Sequence, residues 1–367
     1  MKTATKPAKT ANSERNAKTT KPAFYKANPT LAEWANYWLE TYVKPATKPG
    51  GYESYHDNMV KHILPFLGDV KLSKLSTGVV QRFLNEQAEH GNLRDNGPLS
   101  AKSLKNIRVV LDVCCKRAVV EEFMDANPVP ATVLLRCRTK RVDVMTDADQ
   151  AVLEDYLRDY DSLSCLDAGI MLGMHTGMRL GEVCALKWGH YDPREGCLYV
   201  QETIRRISNY DENAPYGSRT SLVTSPVKSD ASERKIYLPG FLLDLMDAQY
   251  DRFVRMFRRE PDREDYVIFS DRGGCIDPDN LSHYFSDLLR TLRLPHVKYH
   301  ALRHTFATRA VESGIDIATV SGILGHADVT TTTHFYVHPR DESMRRAMTS
   351  MQPVTGYRRR DRTRRLA

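Results

Sequence analysis

The stretch HALRHTFATRA, residues 300–310, places two histidines four residues apart with an arginine between them. On a helix, His300 and Arg303 would project from one side of the axis. The stripe expected to face the core consists of Leu302, Phe306 and Ala310. The pattern therefore predicts a helix, and it leaves two kinds of site to separate: a metal site and a clamp for an anion.

A metal site is the weaker interpretation of this stretch. Zinc proteases need a glutamate directly after the first histidine as general base, and Ala301 occupies that position. An anion is favoured because His300 lies at the expected helix start, where free backbone N–H groups and the helix dipole attract negative charge. A guanidinium and an imidazole there suit a phosphate, although this segment alone also fits a helix with an incidental exposed arginine.

Two further segments carry the same kind of chemistry. HTGMRLGEVCAL, residues 175–186, places Arg179 after a Thr-Gly turn at the start of a predicted helix. Glu182, three residues later, is spaced to orient the Arg179 guanidinium. LGHADVTTTTHFYVH, residues 324–338, places His326 in a glycine turn ahead of a helix that carries a tyrosine.

A fourth segment, SPVKSDASERKIYLP at residues 225–239, predicts a β-hairpin. Lys228 lies near the expected tip, and Arg234 and Lys235 lie on the return strand. Basic side chains thus come from four separate segments, and each segment has a residue type suited to a phosphate.

Taken in order, these segments resemble the motifs of the tyrosine recombinase (phage integrase) family. The family's first arginine motif is similar to TGMRLGEV, its H-x-L-R-H box to HALRH, and its terminal motifs to LGH and T-T…Y-x-H. Matched residue by residue, the resemblance implies catalytic roles for Arg179, Lys228, His300, Arg303, His326 and the nucleophile Tyr336. Lys235 is the second candidate for the hairpin lysine, Glu182 and His338 take supporting positions, and His304 and His334 are interpreted as structural.

The resemblance implies a site-specific DNA recombinase that integrates or excises a mobile element. Tyr336 would attack a phosphodiester to form a 3′-phosphotyrosine link, and Lys228 would protonate the departing 5′-oxygen. No metal, ATP or other cofactor is expected. The expected partners are double-stranded DNA at attachment or crossover sites, a homotetramer in the synaptic complex, and an accessory DNA-bending or directionality factor.

Two other classes remain open. A type IB topoisomerase would use the same chemistry without a fixed sequence, so its relaxation of a plasmid would be fast and indifferent to sequence. A DNA-binding regulator with the same fold but no catalysis would form no covalent adduct. The complete set of six catalytic residues argues against the regulator.

The domain organisation follows from composition and helical periodicity. We expect a disordered basic tail at 1–27, a helical core-binding domain at 28–130, a linker at 131–145, a catalytic domain at 146–340, and a C-terminal helix with a basic tail at 341–367. The predicted fold is mainly α, with an all-α first domain and a small antiparallel β-sheet in an α+β catalytic domain. The resemblance implies that the C-terminal helix docks on a neighbouring protomer.

The core-binding domain is expected to contain four amphipathic helices, and the first begins with a capping box at Thr30 and Glu33. On the fourth helix, Lys102, Lys105 and Arg108 would line a phosphate backbone or form a solvated face. Residues 208–222 lengthen the loop ahead of Lys228, as in the longer hairpins of conjugative-transposon integrases.

Composition sets wider limits. Hydrophobic residues make up 41% of the 367-residue chain and charged residues 27%, and no run approaches the roughly 18 apolar residues that span a bilayer. Seven cysteines without a C-x-x-C pair indicate a reducing compartment, and the resemblance implies bacterial cytoplasm and association with the nucleoid. The net charge of +7 comes from the two tails, which supports polyanion contact there and says nothing of the folded domains.

Overall fold

The computed structural model describes residues 28–134, 144–160, 162–210, 219–227, 232–326 and 328. The chain divides into two compact units, Met1–Thr139 and Lys140–Ala367. The division falls inside the segment predicted as a linker, 131–145. Several predictions lie outside the described residues: those for Lys228, His334, Tyr336 and His338, for most of the helix expected at 328–337, and for both tails.

The first unit is helical. Its α-helices are α1 (Leu31–Trp38), α2 (Lys44–Ala46), α3 (Pro49–Asp57), α4 (Leu64–Leu67), α5 (Thr77–His90) and α6 (Ala101–Val120). π-Helical turns at Leu39–Val43 and Asn58–Ile63 continue α1 and α3, and a 3-10 turn covers Leu72–Lys74. The helical backbone of this segment continues past Pro65 to Leu67, through the π-helical turn that directly precedes α4.

The start of α1 follows from local chemistry. The backbone N–H of Thr30 donates to Glu33 Oε2 (2.8 Å), and that of Glu33 donates to Thr30 Oγ1 (3.3 Å), which confirms the predicted capping box. Trp34 and Trp38 are buried. The Trp34 indole N–H donates to the carbonyl of Cys114 on α6 (3.2 Å), so the aromatic stripe of α1 is core, as predicted.

The second unit is mixed. Its helices are α7 (Asp147–Tyr156), α8 (Cys165–Thr176), α9 (Leu180–Cys184), α10 (Gly240–Phe257), α11 (Pro278–Thr291), α12 (His300–Glu312) and α13 (Ile317–Leu324). Its strands are β1 (Tyr191–Asp192), β2 (Cys197–Val200), β3 (Glu202–Ser208), β4 (Thr220–Pro226) and β5 (Arg234–Tyr237), and a 3-10 turn covers Trp188–His190. The fold is mainly α with small antiparallel sheets, which confirms the predicted class.

The strands form two small antiparallel sheets, β1-β2-β5 and β3-β4. β2 and β3 follow each other with only Gln201 between them; β5 pairs with β2, and β4 pairs with β3. The predicted hairpin at 225–239 is therefore wrong, because within the described residues β4 and β5 belong to two different sheets. Side-chain alternation along a strand gives its two faces and not its partner, so the sequence pattern did not show that β4 and β5 pair with different strands.

The pairing of β4 with β3 ends at Pro226, and the next residue, Val227, lies opposite Gln201. Val227 N–H donates to the Gln201 carbonyl (3.0 Å), and the chain returns to pair Arg234 with Val200. In sequence, Lys228 lies between β4 and β5, and the stretch 208–222 runs from the end of β3 into β4.

The run YVIFS, residues 266–270, is rich in β-branched and aromatic side chains, a pattern that predicts a strand. Within the described residues they make only single bridges, Lys187 to Tyr266 and Phe269 to Cys275. Val267 and Ile268 are fully buried. A short apolar run of this kind signals burial and does not by itself signal strand pairing, which accounts for the error.

Helix α8 lies at the centre of the second unit's core. Ile170 and Leu172 have no exposed surface, and Tyr299 donates its hydroxyl to the Gly169 carbonyl (2.6 Å), which ties α8 to the start of α12. The far half of α12 packs on α13 through a small cluster of Ala307, Ala310, Val320 and Leu324. In the described ranges, no helix is both long and apolar enough to cross a membrane.

Candidate active site

Arg179 stands at the junction between α8 and α9. Helix α8 ends at Gly177, which has φ = 63°, and α9 begins after Arg179. Glu182 Oε2 accepts the Arg179 backbone N–H (2.9 Å) and Oε1 accepts from the guanidinium Nη1 (2.7 Å). The three-residue spacing thus lets one carboxylate cap the helix and orient the guanidinium, whose side chain stays 37% exposed.

Gly177 is required by both conformation and space. Its positive φ belongs to the left-handed region, which costs a residue with a Cβ about 1–2 kcal/mol. A Cβ there would also lie 2.6 Å from Phe306 Cδ1 and 2.8 Å from Leu324 Cδ2. The close approach brings α12 and α13 against the turn that leads to Arg179.

Arg303 is buried, with 2% of its surface exposed. Its Nη1 donates to the Gly177 carbonyl (2.8 Å) and its Nη2 to the Leu324 carbonyl (2.7 Å). Both carbonyls stand at helix C-termini, where unpaired oxygens and the negative end of the helix dipole stabilise a cation. The side of α12 expected to be open is therefore covered around Arg303, because two other helix ends pack on it.

His300 and His304 lie one turn apart, with ring centroids 4.7 Å from each other. Partial desolvation, followed by the charges of Arg303 and Arg179, lowers the pKa of His300. Desolvation, with His300 and Arg303 adding to it, lowers the pKa of His304 to about 4. Within the described residues no third His, Cys, Asp or Glu joins this pair in a metal-binding group, and the surrounding charge is positive.

His326 follows the left-handed Gly325 that ends α13, and its backbone N–H donates to the Ser321 carbonyl (3.1 Å). Desolvation, followed by the positive charges of Arg303, Arg179 and Arg234 in that order, lowers the pKa of His326 to about 4. The imidazole is therefore neutral at pH 7. Arg179 Nη2 also reaches the Gly325 carbonyl (3.4 Å), so one positive region joins the HALRH helix, the first arginine motif and the LGH turn.

Arg234 is a third arginine at this site. Its Nη2 donates to Glu182 Oε2 (2.8 Å) and its Nε to the Ile323 carbonyl (2.6 Å), and its side chain is 5% exposed. Burial alone would raise the pKa of Glu182, but bonds to Arg234 and the charge of Arg179 outweigh it, so the pKa lies below its ordinary value. The sequence predicted only that Arg234 lies on a strand, because its partners Glu182 and Ile323 are far from it along the chain.

Lys235 points away from this cluster. Consecutive residues of a strand face opposite sides of the sheet. Lys235 Nζ bonds Glu195 (3.1 Å) and lies 4.6 Å from the centre of the Tyr237 ring. Of the two candidates for the lysine of this segment, the geometry therefore disfavours Lys235 and leaves Lys228.

The predicted DNA contacts of the first unit separate into two kinds. Lys102 and Lys105 are exposed on α6. Arg108 instead donates to Thr132 Oγ1 (3.0 Å) and to the carbonyls of Val129 and Pro130 (3.2 Å each). Its guanidinium fastens the segment after α6, a role that helical periodicity did not indicate.

Family profiles and individual proteins match most of the chain. The phage integrase family profile matches residues 142–343, and the profile of a phage integrase N-terminal SAM-like domain matches residues 30–87. A tyrosine recombinase XerC-like protein of Caldanaerobacter subterraneus is 26% identical and the match covers 84% of this chain and 79% of that protein. The integrase of Staphylococcus phage L54a is 22% identical, with 84% and 87% covered.

Solved structures share the fold at low identity. The Tn1549 transposon integrase in complex with transposon right end DNA matches with a TM-score of 0.70 at 18% identity, over 87% of this chain and 98% of that one. A lambda integrase tetramer bound to a Holliday junction matches with a TM-score of 0.59 at 22% identity, over 86% and 81%. The family profile spans the whole segment that carries Arg179, His300, Arg303 and His326, and the chain accordingly belongs to the phage integrase family and is a tyrosine site-specific recombinase.

Proposed function

We propose that this recombinase cleaves and rejoins double-stranded DNA through a 3′-phosphotyrosine intermediate, at the attachment sites of a mobile element. The supporting observation is the convergence of Arg179, Arg303 and His326 around the ends of α8 and α13, where desolvation and then the arginine charges lower the pKa of His326 to about 4. A site of this kind suits a phosphodiester, on whose oxygens negative charge grows during attack.

The proposed first step is a transesterification. The Tyr336 hydroxyl attacks the scissile phosphorus, a P–O(Tyr) bond forms, and the bond to the 5′-oxygen breaks. A tyrosine hydroxyl has an ordinary pKa of about 10, so it needs a nearby positive field to lose its proton. Lys228 gives the leaving 5′-oxygen a proton, and attack by the 5′-hydroxyl of another strand reverses the reaction, which needs no metal or ATP.

The described residues divide the work of holding the phosphate. Arg179, partly exposed and oriented by Glu182, presents its guanidinium to a non-bridging oxygen. Arg303 adds a buried positive charge fixed by two carbonyls. Neutral His326 donates a ring N–H to the phosphate, and the exposed His300 at the start of α12 accepts the proton that the Tyr336 hydroxyl loses.

Assembly and partners follow from the same proposal. The lambda integrase relative has been seen as a tetramer on a Holliday junction, and we propose a homotetramer on DNA here, with the segment after residue 340 docking on a neighbour. Lys102 and Lys105 contact the phosphate backbone from the first unit. An accessory DNA-bending or directionality factor sets the preferred direction of recombination.

The test uses a nicked duplex built from the ends of the element that carries this gene. Wild-type protein is expected to form an adduct that resists SDS, Tyr336→Phe to form none, and Tyr237→Phe, a control at an exposed tyrosine of β5, to match wild type. Arg179→Gln is expected to slow the adduct about 100-fold, the usual cost of losing one donor to a developing oxyanion.

Each other outcome points elsewhere. An adduct with Tyr336→Phe means that another tyrosine is the nucleophile. Tight binding without any adduct favours the non-catalytic regulator, and fast relaxation of plasmids of unrelated sequence favours a topoisomerase.

A further inference from the structure

Arg234 lies where the chain enters the three-stranded sheet β1-β2-β5. It is the first residue of β5, it pairs with Val200, and it directly follows the connection that carries Lys228. Its neighbours in the strand alternate as expected, with Ile236 in the core and Lys235 on the opposite face. The Arg234 side chain therefore leaves the sheet on the side of α9 and α13.

The guanidinium of Arg234 binds three oxygens from three parts of the chain. They are Glu182 Oε2 on α9 (2.8 Å), the Ile323 carbonyl near the end of α13 (2.6 Å) and the Ser232 carbonyl of the preceding connection (3.0 Å). A planar guanidinium has its donors in a rigid fork, so three acceptors on one group are fixed relative to each other.

The Glu182 carboxylate is shared between two arginines. Oε1 accepts from Arg179 and Oε2 from Arg234, while only 3% of the residue is exposed. Two guanidinium groups around one carboxylate leave one net positive charge for a bound phosphate. Without Arg234 the net charge of the pair falls to zero, and the buried carboxylate holds Arg179 alone.

We infer that Arg234 is a positioning residue that fixes two groups at once: the Arg179 guanidinium through Glu182, and the turn that carries His326 through Ile323. It also anchors the return end of the Lys228 connection through Ser232. No contact between Arg234 and DNA is required. For its activity test the inference rests on the proposed function.

The first measurement compares Arg234→Gln with Arg206→Gln in the full chain. Arg206 is a matched control on β3, since it also binds a carboxylate and a further oxygen, Asp277 (2.5 Å) and Thr220 (2.7 Å), but away from the clamp. We expect Arg234→Gln to lower the single-turnover rate of adduct formation on the nicked duplex about 100-fold, the cost of displacing reacting groups by about 1 Å. The dissociation constant for the same duplex should change little, because the contacts that bind DNA remain.

Wild-type rates in Arg234→Gln, or an equal loss in Arg206→Gln, would overturn the inference. Arg234→Lys keeps the charge but not the fork, and it should recover part of the rate. The losses of Glu182→Gln and Arg234→Gln should combine to less than their product in the double variant, because both changes act on Arg179 through one carboxylate. Losses that multiply would show that the two residues act separately.

A second measurement does not depend on catalysis. The pKa of His326 is followed by NMR of histidine-labelled protein without DNA, with His326→Gln for assignment. It should rise in Arg234→Gln, since a nearby positive charge is lost, and stay unchanged in Arg206→Gln. If wild type forms no adduct, the proposed function fails, and an unshifted His326 then overturns the role of Arg234 separately. If Arg234→Gln does not fold, Arg234→Lys serves in the rate measurement, with a smaller loss expected because the charge remains and the fork does not; a wild-type rate in that variant would then overturn the inference.

Discussion

The turn at Gly177 offers the sharpest quantitative test of the site's architecture. In Gly177→Ala the new Cβ must adopt φ = 63° and would lie 2.6 and 2.8 Å from carbons of Phe306 and Leu324. The left-handed conformation costs about 1–2 kcal/mol and overpacking a closed core costs about 1–3 kcal/mol. The free energy of unfolding of the second unit should therefore fall by about 2–5 kcal/mol.

Gly196→Ala is the control that separates these two contributions. Gly196 has nearly the same φ, 61°, but a Cβ there would lie 3.6 and 3.7 Å from the Leu243 methyl groups, which is ordinary contact. Only the conformational cost of about 1–2 kcal/mol is expected. Pulse proteolysis across a urea series measures both variants in the full chain, because cleavage reports the unfolded fraction.

The reasoning also predicts a functional difference. The Gly177 carbonyl accepts a hydrogen bond from Arg303, and Arg179 follows the same turn two residues later. A displaced turn therefore moves both Arg179 and Arg303. Gly177→Ala should lose adduct formation at urea concentrations where it is still folded, while Gly196→Ala keeps it. Equal destabilisation of the two variants would refute the packing argument, and unchanged adduct formation in a folded Gly177→Ala would refute the role of the turn.

Three further predictions concern the buried arginine, the pH dependence and the first unit. Arg303→Lys cannot reach both of its carbonyls at once, so urea unfolding should show a loss of about 1.5–3 kcal/mol, and an unchanged midpoint would contradict the bonding described. The pKa of His304 falls from its ordinary 6.5 to about 4 on folding, so the contribution of neutral His304 to stability is complete above pH 6.5 and is lost as the pH falls toward 4. In His304→Asn the urea midpoint should therefore change less between pH 7 and pH 4 than in wild type. An equal change in both proteins would count against this explanation. Replacing Lys102 and Lys105 together by Ala should reduce the slope of log affinity for DNA against log salt concentration by about 2. Arg108→Gln should instead lower the unfolding midpoint of the first unit, because its bonds to Thr132 and Val129 are lost. The reverse pattern would assign the phosphate contact to Arg108.

The features that the sequence predicted correctly are those that depend on neighbours a few residues apart. The capping box at Thr30 and the helix that begins at His300 require contacts within one or two turns, and so does the pairing of Arg179 with Glu182. These bonds form wherever the segment is helical, so spacing alone is enough to foresee them. The family resemblance rested on the same local motifs.

The tertiary structure decided what depends on long-range packing. Arg303 was expected on an open face, but the ends of α8 and α13 cover it, and residues 126 and 21 positions away supply its acceptors. The sequence also did not show that β4 and β5 pair with different strands, because side-chain alternation shows the faces of a strand and not its partner.

Arg234 is the extreme case of this limit. It binds Glu182, 52 residues before it, and Ile323, 89 residues after it, and the sequence around it shows only a basic residue at the start of a strand. By itself the sequence indicated which side chains are candidates to bind a phosphate, because each lies in a short motif with its own local chemistry. Only the tertiary structure decided how those side chains are held, because a guanidinium fork binds whichever oxygens the folded chain brings within about 3 Å of it.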